Sequence, residues 1–154
     1  MPIPDLTDRG LLPTGMFDCE LSEIEARYVY NERRRIIWTA FSSYLPSLLL
    51  IPQVDILYVD GSFTTDREIP GDIDIIIEVD SPLVSATILA RHGPMIERTW
   101  VKQTFFTDLV FEFRNSPPGR RDNRELFTEI KLADALEIGI DPTTRKGLLK
   151  VKLR

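Results

Sequence analysis

The chain has 154 residues, 43% of them hydrophobic, which suits one ordinary packed domain. Its formal net charge is −5 and its pI is about 5.0, which excludes a surface built wholly for nucleic acid but allows a local basic patch. One cysteine, Cys19, and one histidine, His92, exclude an internal disulfide and a four-ligand nitrogen–sulfur zinc site, and fit a reducing, cytoplasmic compartment without a membrane span or signal peptide.

Residues 1–19 carry three prolines and two glycines and read as an extended arm, with a turn at Pro13-Thr14-Gly15. From Ser22 the pattern becomes helical, with Ser22 and Glu25 as a capping box and Val29, Ile36, Ile37, Ala40, Phe41 and Tyr44 at helical spacing. The helix is expected to end near Pro46. Val54 to Val59 reads as a strand, and the Asp60–Gly71 loop follows. Ile73 to Val79 is apolar on both faces and reads as a central strand. Ser81 and Pro82 open a helix that runs to about Arg91. His92 falls at that helix end, a structural position rather than a catalytic one. Met95 to Lys102 reads as a further helical turn or two. Thr104 to Phe113 reads as a third strand, rich in aromatic and β-branched residues. Asp122 and Glu125 cap a helix through Leu126, Phe127, Ile130 and Leu136. Gly147 to Arg154 alternates apolar and basic residues, as a half-buried strand does, and its exposed alternation permits edge pairing. The order α-β-β-α-β-α-β indicates an α/β (α+β) fold, a mixed sheet with helices packed on it.

Asp72 and Asp74 interrupt the start of the central strand. Alternation puts both on one face, about 7 Å apart by Cα. That spacing lets two carboxylates share one divalent cation or a pair, and hard oxygen donors suit magnesium, with manganese as an alternative. Gly61 follows a strand, so its backbone can approach a ligand closely. Ser62 adds a hydroxyl and an amide suited to phosphate. The segment lacks the residue spacing of a calcium loop.

Val59-Asp60-Gly61-Ser62, nine residues, then Asp72-Ile73-Asp74-Ile75 resembles the nucleotidyltransferase superfamily typified by DNA polymerase beta, in its minimal form. LPTG near the start, DGSF and PGDID in the middle and KGLLKVKL at the end are similar to small bacterial and phage proteins of that type. On this resemblance, residues 1–20 are an arm and 21–154 a nucleotidyltransferase-like domain. The resemblance implies transfer of a nucleoside monophosphate from a nucleoside triphosphate to an acceptor hydroxyl on RNA, such as tRNA, or on protein. Gly61 and Ser62 would hold the β- and γ-phosphates, and Asp72 and Asp74 two magnesium ions. It also implies a third carboxylate on a later strand, for which Asp108 and Glu112 are the candidates. Asp108 is preferred, because the family uses an aspartate. The alternative is a non-catalytic nucleotide-binding or interaction protein on the same fold, an antitoxin or defence component. It would be paired with a toxin partner or a second copy of itself.

The remaining polar residues have plainer expectations. Asp60, Asp66 and Glu68 read as solvated loop residues or caps, and Trp38 and Trp100 as core. Arg33, Arg34 and Arg35 form either a solvated helix face or a group directed at triphosphate. Arg120, Arg121 and Arg124, with Arg145, Lys146, Lys150, Lys152 and Arg154, form either an edge-strand exterior or a surface for RNA or triphosphate.

Overall fold

Five extended segments pair into one mixed sheet. The computed structural model describes residues 3–114, 119–120 and 122–154. The elements are β1 (Met16–Cys19), α1 (Leu21–Tyr28), α2 (Glu32–Leu49), β2 (Ile56–Asp60), β3 (Ile73–Val79), α3 (Pro82–His92), α4 (Arg98–Phe105), β4 (Thr107–Phe113), α5 (Asn123–Thr128), α6 (Leu132–Ile138) and β5 (Leu148–Lys152). The strand order is β1-β5-β2-β3-β4; β2 runs antiparallel to β3 and β5, while β3–β4 and β1–β5 are parallel. The expected fold class holds, and β3 lies inside the sheet. No helix among the described residues is long and apolar enough to cross a membrane.

Strand alternation gives the sheet two unlike faces. Leu57, Val59, Ile73, Ile75, Ile77, Leu109, Leu149 and Val151 point to one side and pack with Ile24, Ile37, Phe41, Tyr44, Leu48, Ile88 and Val101 of α1 to α4. The other face carries Asp60, Asp74, Asp108, Glu78 and Glu112 beside a small apolar patch of Tyr58, Ile76 and Leu148, packed against Phe127 of α5. Carboxylates therefore collect on the face that the four long helices leave open.

Several boundaries differ from the sequence reading. The first helix is two helices. Glu20, not Ser22, opens α1, its amide donating to Glu23 Oε2 at 2.6 Å. Asn31 then restarts the chain as α2 by accepting from the Arg34 amide at 2.9 Å. Pro46 does not end α2, because one missing amide is tolerated where Tyr44 and Leu48 anchor both sides of the proline in the core. The strand read over Val54–Val59 sits two residues later at its start and includes Asp60. The strand read from Thr104 begins only at Thr107. Phe106 takes a left-handed conformation (φ 49°) that ends α4, and its carbonyl accepts from the Ile73 amide at 2.9 Å. The helix after Asp122 breaks at Glu129, which forms an isolated bridge with Arg145.

The end of the N-terminal arm is not free chain, since Met16–Cys19 forms β1 along β5. β5 is consequently an interior strand with both edges paired, and the edge-strand reading of its basic residues does not hold. Arg154 instead donates to the carbonyls of Leu49, Ile51 and Val54. Trp38 is buried as expected. Trp100 is 43% exposed, because it lies on the outer side of α4 and only its edge meets Phe105. Arg121 and most of the loop before it lie outside the described residues.

Of the three consecutive arginines, Arg34 is fully buried and donates to the carbonyls of Tyr28, Phe63, Thr65 and Arg67. Arg33 holds the carbonyls of Pro70 and Gly71, and Arg35 pairs with Glu32 on the surface. The first two therefore pin the β2–β3 loop to α2. Arg34→Met should lower the unfolding free energy by roughly 2–4 kcal/mol, because it leaves several buried carbonyls unpaired. An unchanged urea midpoint would refute that role.

Candidate metal centre

The site is assembled where β2 ends, β3 begins and β4 begins. Register places Asp60 opposite Asp74, and Asp74 opposite Asp108, so three carboxylates form a row across three strands. Asp72 stands just before β3 on the same side as Asp74. One oxygen each from Asp72, Asp74 and Asp108 lies within 4.8 Å of the others. Two local features permit this convergence. Gly61 has φ 86°, and a Cβ there would collide with Asp74 Oδ2, so the turn after β2 tolerates no side chain. The left-handed Phe106 joins α4 to β4 without a loop, which brings Asp108 level with Asp74. Beyond Gly61, Ser62–Thr64 makes a single 3-10 turn, tied by Thr65 Oγ1 donating to the Ser62 carbonyl at 2.7 Å.

The electrostatics separate the carboxylates. Burial pushes the Asp74 carboxyl up to about 7, and the charges of Asp72, Asp60 and Asp108 add to the rise while Lys146 opposes it. No ion pair to Asp74 forms among the described residues. Asp108 is held below the ordinary carboxylate range by the hydrogen bond from Arg98. Arg98 grips it with two bonds, Nε to Oδ1 at 2.6 Å and Nη2 to Oδ2 at 3.1 Å. Lys102 Nζ lies 3.4 Å from Asp72 Oδ2 and 3.6 Å from Asp108 Oδ2. A cleft of about 480 Å³ opens beside them, bounded by Gly71, Asp72, Arg98, Lys102, Phe106 and Asp108.

This donor set fits a divalent cation. It is all carboxylate, hard and converging, and its most buried member needs either a proton or a cation. Asp72, Asp74 and Asp108 are brought together as the sequence reading expects, with Gly61 and Ser62 alongside.

Glu112 is not part of the cluster. It lies four residues, roughly 13 Å, further along β4. There it is fully buried and bonded to Arg120 and to the Asn123 amide at 2.9 Å. Asp60 is also unlike its expectation. It is 2% exposed, because it ends β2 rather than opening a loop, and Lys146 Nζ stands 3.2 Å away. Asp66 and Glu68 are exposed as expected. Arg120 and Arg124 turn inward to Glu112, Glu78 and Asp122 instead of facing a ligand.

The sequence reading missed Arg98 and Lys102, and placed Lys146 in a basic exterior cluster rather than beside Asp60. The first two are four apart in a helical segment, a spacing that marks one face, but nothing local says which strand that face meets. Lys146 reaches Asp60 only because β5 pairs with β2.

The fold and site thus define an α+β protein with a carboxylate centre on the open face of a mixed sheet. The chain belongs to the Family of unknown function (DUF6932), which matches residues 4–152. No curated protein and no solved structure matches it.

The raised Asp74 carboxyl has a stability consequence. Between about pH 4 and 7 the folded chain holds a proton there that the unfolded chain has lost, so stability falls as pH rises through that window. In EDTA, Asp74→Asn should therefore gain roughly 1–3 kcal/mol on wild type at pH 8 relative to its difference at pH 4. Urea unfolding at the two pH values checks this, and an equal difference at both would contradict it.

Proposed function

We propose that the protein is a metal-dependent nucleotidyltransferase. It moves a nucleoside monophosphate from a nucleoside triphosphate to an acceptor hydroxyl, on RNA or protein, with release of pyrophosphate. The observation that supports this most is the convergence of Asp72, Asp74 and Asp108 next to the Gly61-Ser62 turn.

Asp72, Asp74 and Asp108 would hold magnesium or manganese. Held there, such ions would supply charge stabilisation to the attacking and leaving oxygens of an in-line displacement. Gly61 leaves its backbone open to the β- and γ-phosphates, and the Ser62 hydroxyl donates to a phosphate oxygen. Asp108, ionised at neutral pH, orients the acceptor hydroxyl and receives its proton. The oxygen–α-phosphorus bond forms as the bond to the β-phosphate breaks, and pyrophosphate leaves. Most of the rate comes from positioning and charge neutralisation.

One observation favours a second reading, a non-catalytic nucleotide-binding or interaction protein with a toxin-type or identical partner. Arg98 and Lys102 already neutralise two of the three carboxylates, so the cluster stands without a metal.

Calorimetric titration with each of the four nucleoside triphosphates, with calcium in place of magnesium to block turnover, followed by a transfer assay in magnesium, separates the two. The catalytic reading expects metal-dependent binding that Asp72→Ala/Asp74→Ala abolishes, and Asp74→Asn should slow transfer by roughly 10²-fold or more while keeping the fold. Absence of binding to any of the four, or full activity in Asp74→Asn, would defeat it.

A further inference from the structure

α4 presents two cations to the carboxylate cluster from a single face. Arg98 and Lys102 are one helical turn apart, and Glu97 fixes the start of that turn by accepting from the Thr99 and Trp100 amides at 3.2 and 2.7 Å. Together they contact both oxygens of Asp108 and one of Asp72, two of the three carboxylates that converge at the cluster. Their side chains are nevertheless 60% and 53% exposed. Long stems lying at a surface can leave without unpacking a core.

The opposite end of the same strands makes the comparison. There Glu78 and Glu112 are buried and are held by Arg114, Arg120 and Arg124, the last with only 20% of its side chain exposed. Tyr58 adds a hydrogen bond to Glu78 at 2.9 Å. Those pairs cannot open without exposing buried charge. At the cluster the cations are already largely in solvent, and a divalent cation would replace them on Asp108 and Asp72, whose side chains are 13% and 21% exposed.

We propose that Arg98 and Lys102 are a releasable cationic latch: they occupy the carboxylates of Asp108 and Asp72 until a divalent cation displaces them, and they then hold the phosphates of the incoming nucleotide. This rests on the nucleotidyltransferase reading. Two cations and a metal ion cannot all crowd the same carboxylate oxygens without strong repulsion. The displaced side chains turn into the adjoining cleft, where Thr99 and Gln103 add hydrogen-bonding groups from the same helix. The cleft thus becomes an anion site only once the cation is in place, which orders metal before nucleotide. Arg98 suits the task, since the planar fork that grips a carboxylate grips a phosphate equally well.

Two measurements on the full chain test the latch. The first follows the Arg98 Nε–H resonance, assigned by its loss in Arg98→Lys. It should be resolved in the metal-free protein and shift or vanish as magnesium saturates the site. The second compares Arg98→Gln/Lys102→Gln with wild type. The variant should bind manganese about threefold tighter or more, and should bind α,β-methylene-ATP with magnesium about tenfold weaker. Manganese binding seen only in the variant also supports the latch. An Nε–H signal unmoved at magnesium saturation overturns it. So does a fall in both affinities together, which marks a merely structural pair. Wild type and variant binding manganese equally sinks the latch but leaves the metal centre standing. If neither binds manganese, the metal centre and the latch both fail.

Discussion

Like charges lined up across adjacent strands are the constraint around which this protein is arranged. Asp60, Asp74 and Asp108 lie side by side on β2, β3 and β4, with Asp72 one pleat away. Directly opposed like charges destabilise a sheet, and burial raises the cost. Each is answered from a different part of the chain. Lys146, entering β5, meets Asp60. Arg98 and Lys102 come from α4 to Asp108 and Asp72. Asp74, at the centre, has no ion-pair partner among the described residues, and burial pushes its carboxyl up to about 7. A fold that only needed stability would place an apolar residue there.

The two ends of the same sheet face show what the strands do when charge is merely structural. At Glu78 and Glu112, each carboxylate has its arginine, a tyrosine or a backbone amide, and the group locks α5 onto the sheet. At the Asp72–Asp74–Asp108 end, the partners are exposed and the carboxylates converge on one another instead of on fixed cations. The contrast lies within two strands, so it owes nothing to differences of fold. One end is held by fixed ion pairs, and the other gathers carboxylates that could hold a cation.

The loop between β2 and β3 has to be rigid for this to work, since it carries Gly61 and Ser62 at one end and Asp72 at the other. Rigidity comes from α2. Arg34 spends its guanidinium on loop carbonyls, and Arg33 holds Pro70 and Gly71 immediately before Asp72. Basic residues of α2 thus position the acidic cluster.

The sequence by itself determined the local chemistry. Strand alternation put Asp72 and Asp74 on one face, the glycine after an apolar strand marked a close approach, and the fold class followed from the order of elements. Those signals are short-range, because pleat and turn geometry act over a few residues. Its boundaries failed where long-range packing overrode local preference, at Pro46, Asn31 and Phe106. Only the tertiary structure decided between Asp108 and Glu112, which share a face of one strand and differ only in what β3 sets opposite them. It alone buried Asp60, moved β5 to the interior, and brought Arg98, Lys102 and Lys146 to the carboxylates. Each of those depends on strand register and helix docking, contacts between residues far apart in the chain that no local spacing encodes.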